Sequence, residues 1–320
     1  VAQRTNVMGT REVESRFTNV LVDTFREEPG LDIQRTAPGM GAVAVRGLVG
    51  KNVAVYRDGV RYTTSAQRGG VSTFFQMNEA AALEGIEVLR GPNSAQYGSD
   101  SIGGTVHLLS RAAPASRGVH GELTTDYGSA AHGIGSGWRQ SFQVGSFGAV
   151  VQAGGRRVNT LRTGGGVDSH AAVTRFLGLP STVLGDRQSD SAFTQYGGGG
   201  HAQWTLAPRH QLVLHYDRAQ VDGAKRPDQL SGGDGKLIAD LRNLMLDFGY
   251  LRYAGFGVGG FDQLSVTGSF NAQREERVNQ GGNGNARGMI THQYEKTRVW
   301  GQSGMASKQL GAHQLVLGAD

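Results

Sequence analysis

Arginine and histidine supply most of the side chains in this 320-residue chain that could do chemistry, and their spacing points to recognition rather than catalysis. Five of the 32 basic residues are lysines, which leaves 27 arginines, whose planar forks suit phosphate and carboxylate partners. The formal charge is +5, yet the arginines stand singly between glycines and acids. No basic helix, zinc-finger spacing or RNP-like aromatic strand accompanies them, so nucleic acid is not an expected partner. Nine histidines are dispersed. His210 and His215, five apart, would point to opposite faces of a strand, which argues against shared metal ligation. His107 and His132 are candidate haem ligands, against a plainer reading as a strand residue and a solvated loop residue. The stretch Gly232 to Leu237, GGDGKL, lacks the Ser or Thr and the leading glycine of a phosphate-binding loop. Neither Gly-x-Ser-x-Gly, His-Glu-x-x-His nor an EF-hand loop occurs. No enzyme chemistry is expected, and the absence of cysteine removes disulfides and thiolate metal sites.

The elements that must position these side chains are strands. Glycine is 51 of 320 residues, about twice the usual share, and no window approaches the roughly 18 uninterrupted apolar residues of a membrane helix. Membrane strands need no such run, because they alternate apolar outward with polar inward residues. Leu264, Val266, Gly268, Phe270 and Ala272 fall on one face; Ser265, Thr267, Ser269, Asn271 and Gln273 fall on the other. Similar segments occupy about 118–128, 138–147, 149–160, 194–206, 211–221, 243–254 and 294–308, and a ninth begins at His313. Long connections (129–137, 161–193, 222–242, 276–293) alternate with brief ones, as in outer-membrane barrels. Trp138, Trp204, Tyr216, Tyr250, Tyr253 and Trp300 lie where interfacial girdles are expected.

Ahead of these strands, Ile86 to Arg111 reads as strand, tight turn, helical turn, glycine hinge and strand. Pro92 suits the first position of a short helix, and Gly91, Gly98, Gly103 and Gly104 are expected to shape the backbone, the last three through positive φ. Upstream, Leu31 to Gln34, Ala42 to Arg46 and Val53 to Arg57 look like strands of a small mixed sheet, and Asp58-Gly59 supplies a turn dipeptide. Phe17 to Glu27 has helical spacing up to Pro29-Gly30. Three motifs stand in order: Arg46-Gly47, then Asp58-Gly59-Val60, then Glu87 through Gly104, which takes in Arg90-Gly91-Pro92, Tyr97-Gly98 and Gly103-Gly104. Together they resemble the plug domain of TonB-dependent outer-membrane receptors.

That resemblance implies an α+β plug domain followed by antiparallel transmembrane β-barrel strands: a flexible lead over residues 1–14, a plug over 15–113, and barrel strands over 118–320. Barrels of the resembled family have about 22 strands, so nine form an incomplete barrel and a truncated chain is expected. The sequence opens at Val1 with no signal peptide, which is expected to have been removed or to lie outside it. No TonB box is identified in residues 1–14. Arg46 and Arg90, with Glu87, occupy positions where the resemblance implies plug arginines that pair with barrel-wall glutamates and lock the plug, the glutamates being expected on later strands beyond Asp320; the bland alternative is a pair of solvated strand-end arginines. Arg57, Arg61, Tyr62, Arg68, Phe74 and Gln96 are candidate contacts for an anionic, partly aromatic ligand, or merely pack plug against barrel. The implied function is active import of a scarce ligand (ferric siderophore, haem, cobalamin or glycan) across the outer membrane of a Gram-negative cell. Implied partners are a periplasmic TonB protein, the inner-membrane energising complex, and outer-membrane lipid and lipopolysaccharide. No resident cofactor is expected, although the cargo can carry iron or cobalt, and the receptor is expected to be a monomer. A sensor without transport and a soluble β-rich adhesin are the competing classes.

Overall fold

The computed structural model describes residues 4–16, 20–62, 74–162, 187–230, 236–281 and 284–320. The N-terminal unit is built on five strands, β1 (Arg4–Gly9), β4 (Val53–Arg57), β5 (Val60–Arg61), β6 (Leu83–Arg90) and β7 (Gly104–Ser110), in the spatial order β1-β6-β7-β4-β5. β4 runs parallel to β7, and the other neighbours are antiparallel. β2 (Leu31–Ala37) and β3 (Met40–Val45) form a hairpin of their own instead of joining this sheet. Val20, Val22, Phe25, Val43, Val45, Phe75, Met77, Val88, Val106 and Leu108 close the core, each at most 5% exposed. Burying each large apolar side chain is worth about 1.5–3 kcal/mol, and no disulfide exists to share that task.

Two local expectations are corrected. The flexible lead is instead structured over Arg4–Gly9, as β1 along the edge of β6, and over Thr10–Ser15, as a short helix, α1. It carries little apolar periodicity because only Asn6, Met8 and Val13 turn inward, and backbone pairing along a free strand edge substitutes for a hydrophobic pattern. The helix expected from Phe17 to Glu27 is a single 3-10 turn, Leu21–Phe25, with Phe17 outside the described residues. Its spacing did mark a buried face, Val20 to Val22 with Thr24 and Phe25, but Gly30 at φ 76° turns the chain away a few residues on.

The closing motif of this unit folds as expected: β6, then helix α2 (Ser94–Tyr97), then β7. Gly91 (φ 115°) and Gly98 (φ 80°) use backbone conformations that side chains disfavour. Gly103 and Gly104 do not, contrary to expectation, and are needed for space. A Cβ on Gly104 would meet Leu89 O at 2.5 Å and Val45 Cγ1 at 2.9 Å. The two glycines therefore make room for Val45 and Leu48, at and just beyond the end of β3.

Nine strands follow in one antiparallel sheet: β8 (Gly118–Gly128), β9 (Gly133–Val144), β10 (Phe147–Val158), β13 (Phe193–Ala207), β14 (His210–Lys225), β15 (Ala239–Val258), β16 (Phe261–Gln280), β17 (Ile290–Leu310) and β18 (His313–Ala319). The pair β11 (Leu161–Arg162) and β12 (Arg187–Gln188) decorates the β10–β13 connection. Brief connections are two residues each, at Gly145-Ser146, Pro208-Arg209, Gly259-Gly260 and Gly311-Ala312, and the long ones all lie at the opposite end. On β16, Thr267, Asn271, Gln273 and Glu275 are buried, whereas Val266 is exposed, so the polar face turns to the plug and the apolar face outward. Tyr250 is a correction: at 3% exposure it points inward, because Leu251 takes the outward place in the alternation.

Candidate functional site: the contact between plug and wall

A buried polar contact between the two parts is made by Arg57, the last residue of β4. Its guanidinium, 2% exposed, forms an ion pair with Asp217 on the inner face of β14. Arg57 Nε donates to Ser110 Oγ at 3.0 Å and Nη1 to Asn78 Oδ1 at 3.2 Å, so plug side chains hold the cation before it meets the wall. Asp217 Oδ2 also accepts from His215 Nε2 at 2.9 Å. Room for this carboxylate comes from β13, whose residues Gly197 to Gly200 leave that part of the wall bare. A Cβ on Gly199, which pairs with Asp217, would lie 1.9 Å from its Oδ1.

The next residues form a second clamp. Asp58 (φ 50°) and Gly59 (φ 76°) make the two-residue turn between β4 and β5, a conformation that suits Asp-Gly. The turn presses against β15: Tyr250 Oη donates to Asp58 Oδ2 at 3.0 Å, and the Arg252 guanidinium, 5.0 Å above the Tyr250 ring, donates to Asp58 O. Asp58 Oδ1 accepts from Ser110 N at 2.8 Å, which ties the turn back to β7. Further along, Asn271 Nδ2 donates to Tyr62 O at 2.8 Å, and the Tyr62 and Phe248 rings lie 5.8 Å apart. Burial pushes the Tyr62 phenol well above its usual range, so it stays a donor, to Phe74 O at 2.5 Å. A fourth clamp joins Glu79 to Arg156 of β10 and to Gln195 of β13, whose Nε2 donates at 2.7 Å to Glu79 and at 3.2 Å to Gln76 O.

Several residues expected at a ligand face belong to these clamps. Arg57, Tyr62 and Phe74 are buried at 2, 2 and 5% exposure, and their functional groups are spent inside the protein. Arg61 is half-buried and paired with Asp100, Gln96 is exposed on α2, and Arg68 lies outside the described residues. Among the expected lock residues, Arg90 Nη1 donates to Pro29 O at 2.8 Å, the Arg46 guanidinium lies over Gly91, and Glu87 pairs across to His107. Arg57 forms a plug-to-wall ion pair of its own, with Asp217, as Glu79 does with Arg156. His107 forms a three-ring cluster with Tyr56 and Tyr97, at 5.5 and 5.1 Å from them, where burial lowers its pKa against the opposing pull of Glu87. His132 accepts or shares a hydrogen bond with Tyr127 Oη at 2.7 Å. Asp217, His215, Tyr250 and Asn271 were missed because their roles depend on which wall residue stands opposite which plug turn. Strand parity alone does place all four on the inner face.

A β-sheet whose polar face grips an α+β domain and whose apolar face is exposed defines an outer-membrane barrel protein with an internal plug. Comparison with known proteins carries this one step further. Residues 1–105 match the family described as the TonB-dependent Receptor Plug Domain. The vitamin B12 transporter BtuB of Vibrio vulnificus (strain YJ016) is 34% identical over 142 residues, 43% of this chain and 22% of that protein. Among solved structures, the FrpB iron transporter of Neisseria meningitidis superposes with a TM-score of 0.76 at 16% identity, over 98% of this chain and 47% of its own length. The siderophore receptor PirA of Acinetobacter baumannii superposes with a TM-score of 0.72 at 16% identity, over 98% and 47% respectively. Residues 1–105 are thus similar to the plug domain of TonB-dependent receptors, and the plug and the nine wall strands together share the fold of these solved outer-membrane receptors. The chain spans about half the length of these solved receptors.

Proposed function

We propose that the protein imports a scarce ligand too large for porins, with the plug as its gate and a periplasmic TonB protein, driven by the inner-membrane complex, as its motor. One observation carries the reading: the plug is fastened to the wall by discrete polar clamps, among them those at Arg57, Asp58, Tyr62 and Glu79. Such contacts are directional and are lost over short displacements, so a plug held this way can be released stepwise and re-engaged. The relatives named above supply the ligand classes, iron, siderophores and vitamin B12, as cargo rather than resident cofactors. Surrounding lipid and lipopolysaccharide complete the environment, and the receptor works as a monomer.

The test expresses the full-length receptor in a Gram-negative host whose own receptors for these ligands are deleted. Growth on single sources of ferric siderophore, haem, cobalamin or glycan is then compared with and without TonB. Growth on one source that vanishes without TonB supports transport; binding of that source without TonB-dependent growth supports a sensor or adhesin instead.

A further inference from the structure

The inner faces of β13 and β14 bring together a constellation that the clamps do not exhaust. His201 of β13 and His215 of β14 are direct cross-strand partners, with ring centroids 5.8 Å apart. One ring nitrogen of each, together with a carboxylate oxygen of Asp58 from the plug turn, lie within 4.8 Å of one another. Both histidine Nδ1 atoms are buried without a hydrogen-bond partner. His215 itself is 2% exposed, and its ring stacks on Tyr250 at 5.2 Å. Leaving two ring nitrogens unsatisfied at one spot is costly, and a bound cation would satisfy both.

We infer that Asp58, His201 and His215 form a divalent transition-metal site that bridges plug and barrel wall. The arrangement around His215 supports it. Its Nε2–H is engaged by Asp217, which leaves Nδ1 as the nitrogen with a free lone pair; this carboxylate–histidine pairing is how metal-bound imidazoles are oriented and made more basic. Asp58 keeps acceptor capacity beyond its bonds to Ser110 N and Tyr250 Oη, since a carboxylate offers about four lone-pair positions. Two imidazoles and one carboxylate are the donor set of zinc and its neighbours. Calcium and magnesium fit poorly, because they need a surplus of oxygen ligands and this set offers one carboxylate beside two imidazoles. Asp58 belongs to the plug and the histidines to the wall, so an ion bound to all three holds the plug in its seated position and is released when the turn moves away. Mass action then makes the seated state more stable in proportion to occupancy.

Untagged full-length receptor in detergent, stripped with a chelator, is titrated with Co²⁺, and Zn²⁺ is then added as competitor. The expected result is one tight equivalent with the visible spectrum of a low-coordinate nitrogen–oxygen site, displaced by Zn²⁺. His201→Gln is the cleanest variant, since its Nδ1 has no partner to lose, and it should weaken binding at least about tenfold; Asp217→Asn should weaken it about 10–100-fold. Zn²⁺ should also slow protease cleavage of the plug in the wild type and leave His201→Gln unaffected. Should His215→Gln lose the heat-modifiable mobility of a folded barrel, His201→Gln still decides the matter. Equal Co²⁺ binding by wild type and His201→Gln would overturn the site, and metal binding without any effect on plug cleavage would overturn its bridging role. Neither readout depends on transport, so failure here leaves the import reading intact.

Discussion

Removing the Arg57 guanidinium should unseat the plug. The side chain is 2% exposed, and its ion pair with Asp217 is backed by bonds to Ser110 and Asn78. In Arg57→Ala the Asp217 carboxylate, itself buried, loses its cation and retains only the hydrogen bonds from His215 and Gln152. Breaking a buried pair on one side costs about 3–5 kcal/mol. At 1.4 kcal/mol per factor of ten, that is about two to three and a half powers of ten in the ratio of seated to unseated plug. Because Arg57 also bonds within the plug, the barrel-side variant Asp217→Asn separates docking from plug folding and should show a loss in the same direction. The double variant Arg57→Met/Asp217→Leu, with neither charge left behind, should recover much of it. Amide exchange of β4 and β7 in the full-length receptor reads the opening free energy directly. Unchanged protection in both single variants would refute the assignment of Arg57 as the lock.

Three other outcomes follow from the same contacts. Gly199→Val should disrupt the lock from the wall side, since its Cβ would fall 1.9 Å from Asp217 Oδ1 and 2.3 Å from Tyr216 O; the readouts are barrel yield and plug protease sensitivity, set against Gly268→Val, where nothing lies within 4 Å of the added Cβ. Tyr250→Phe deletes the bond to Asp58 Oδ2 and should cost about 1.5–3 kcal/mol of docking, measured by urea-induced release of the plug, while heat-modifiability stays normal. His107 has a pKa lowered by burial, so the folded plug takes up a proton less readily than the unfolded chain: its contribution is intact above about pH 6.5 and is lost as pH falls below that. His107→Phe, which keeps a ring against Tyr56 and Tyr97 and removes a buried Nε2 without a partner, should flatten the acid side of the plug's stability profile. An identical pH dependence in wild type and variant would count against it.

The sequence revealed the strands better than their meetings. All nine wall strands, their alternating connections and the β6–α2–β7 motif could be read off, because they rest on local signals: period-two alternation, Asp-Gly and Pro-Gly turns, and glycine at positive φ. Arg57 and Tyr62 looked like ligand contacts because a polar residue beside a loop gives no sign of which wall will cover it. Gly103 and Gly104 looked like hinges because crowding from Val45 and Leu48, some 55 residues away, leaves no local trace. His201 and His215 were a cross-strand miss. The turn Pro208-Arg209 pairs Ala207 with His210, and a bulge between Thr205 and Ala207 then shifts the register by one residue and sets these two histidines opposite each other. Searching within one strand, for His210 with His215, was the wrong geometry; the register across the turn was the right one.

The strand Arg4–Gly9 has a mechanical consequence. It lies antiparallel along β6 over six register pairs, with Arg4 opposite Arg90 and Gly9 opposite Gly85. Tension applied ahead of Arg4 and parallel to the strand loads all those hydrogen bonds at once, in shear, and is passed through β6 to the rest of the sheet. Tension applied at right angles peels them one pair at a time from Arg4. The direction of the pull, more than its size, thus selects between dragging the domain as a rigid body and unravelling it from its edge.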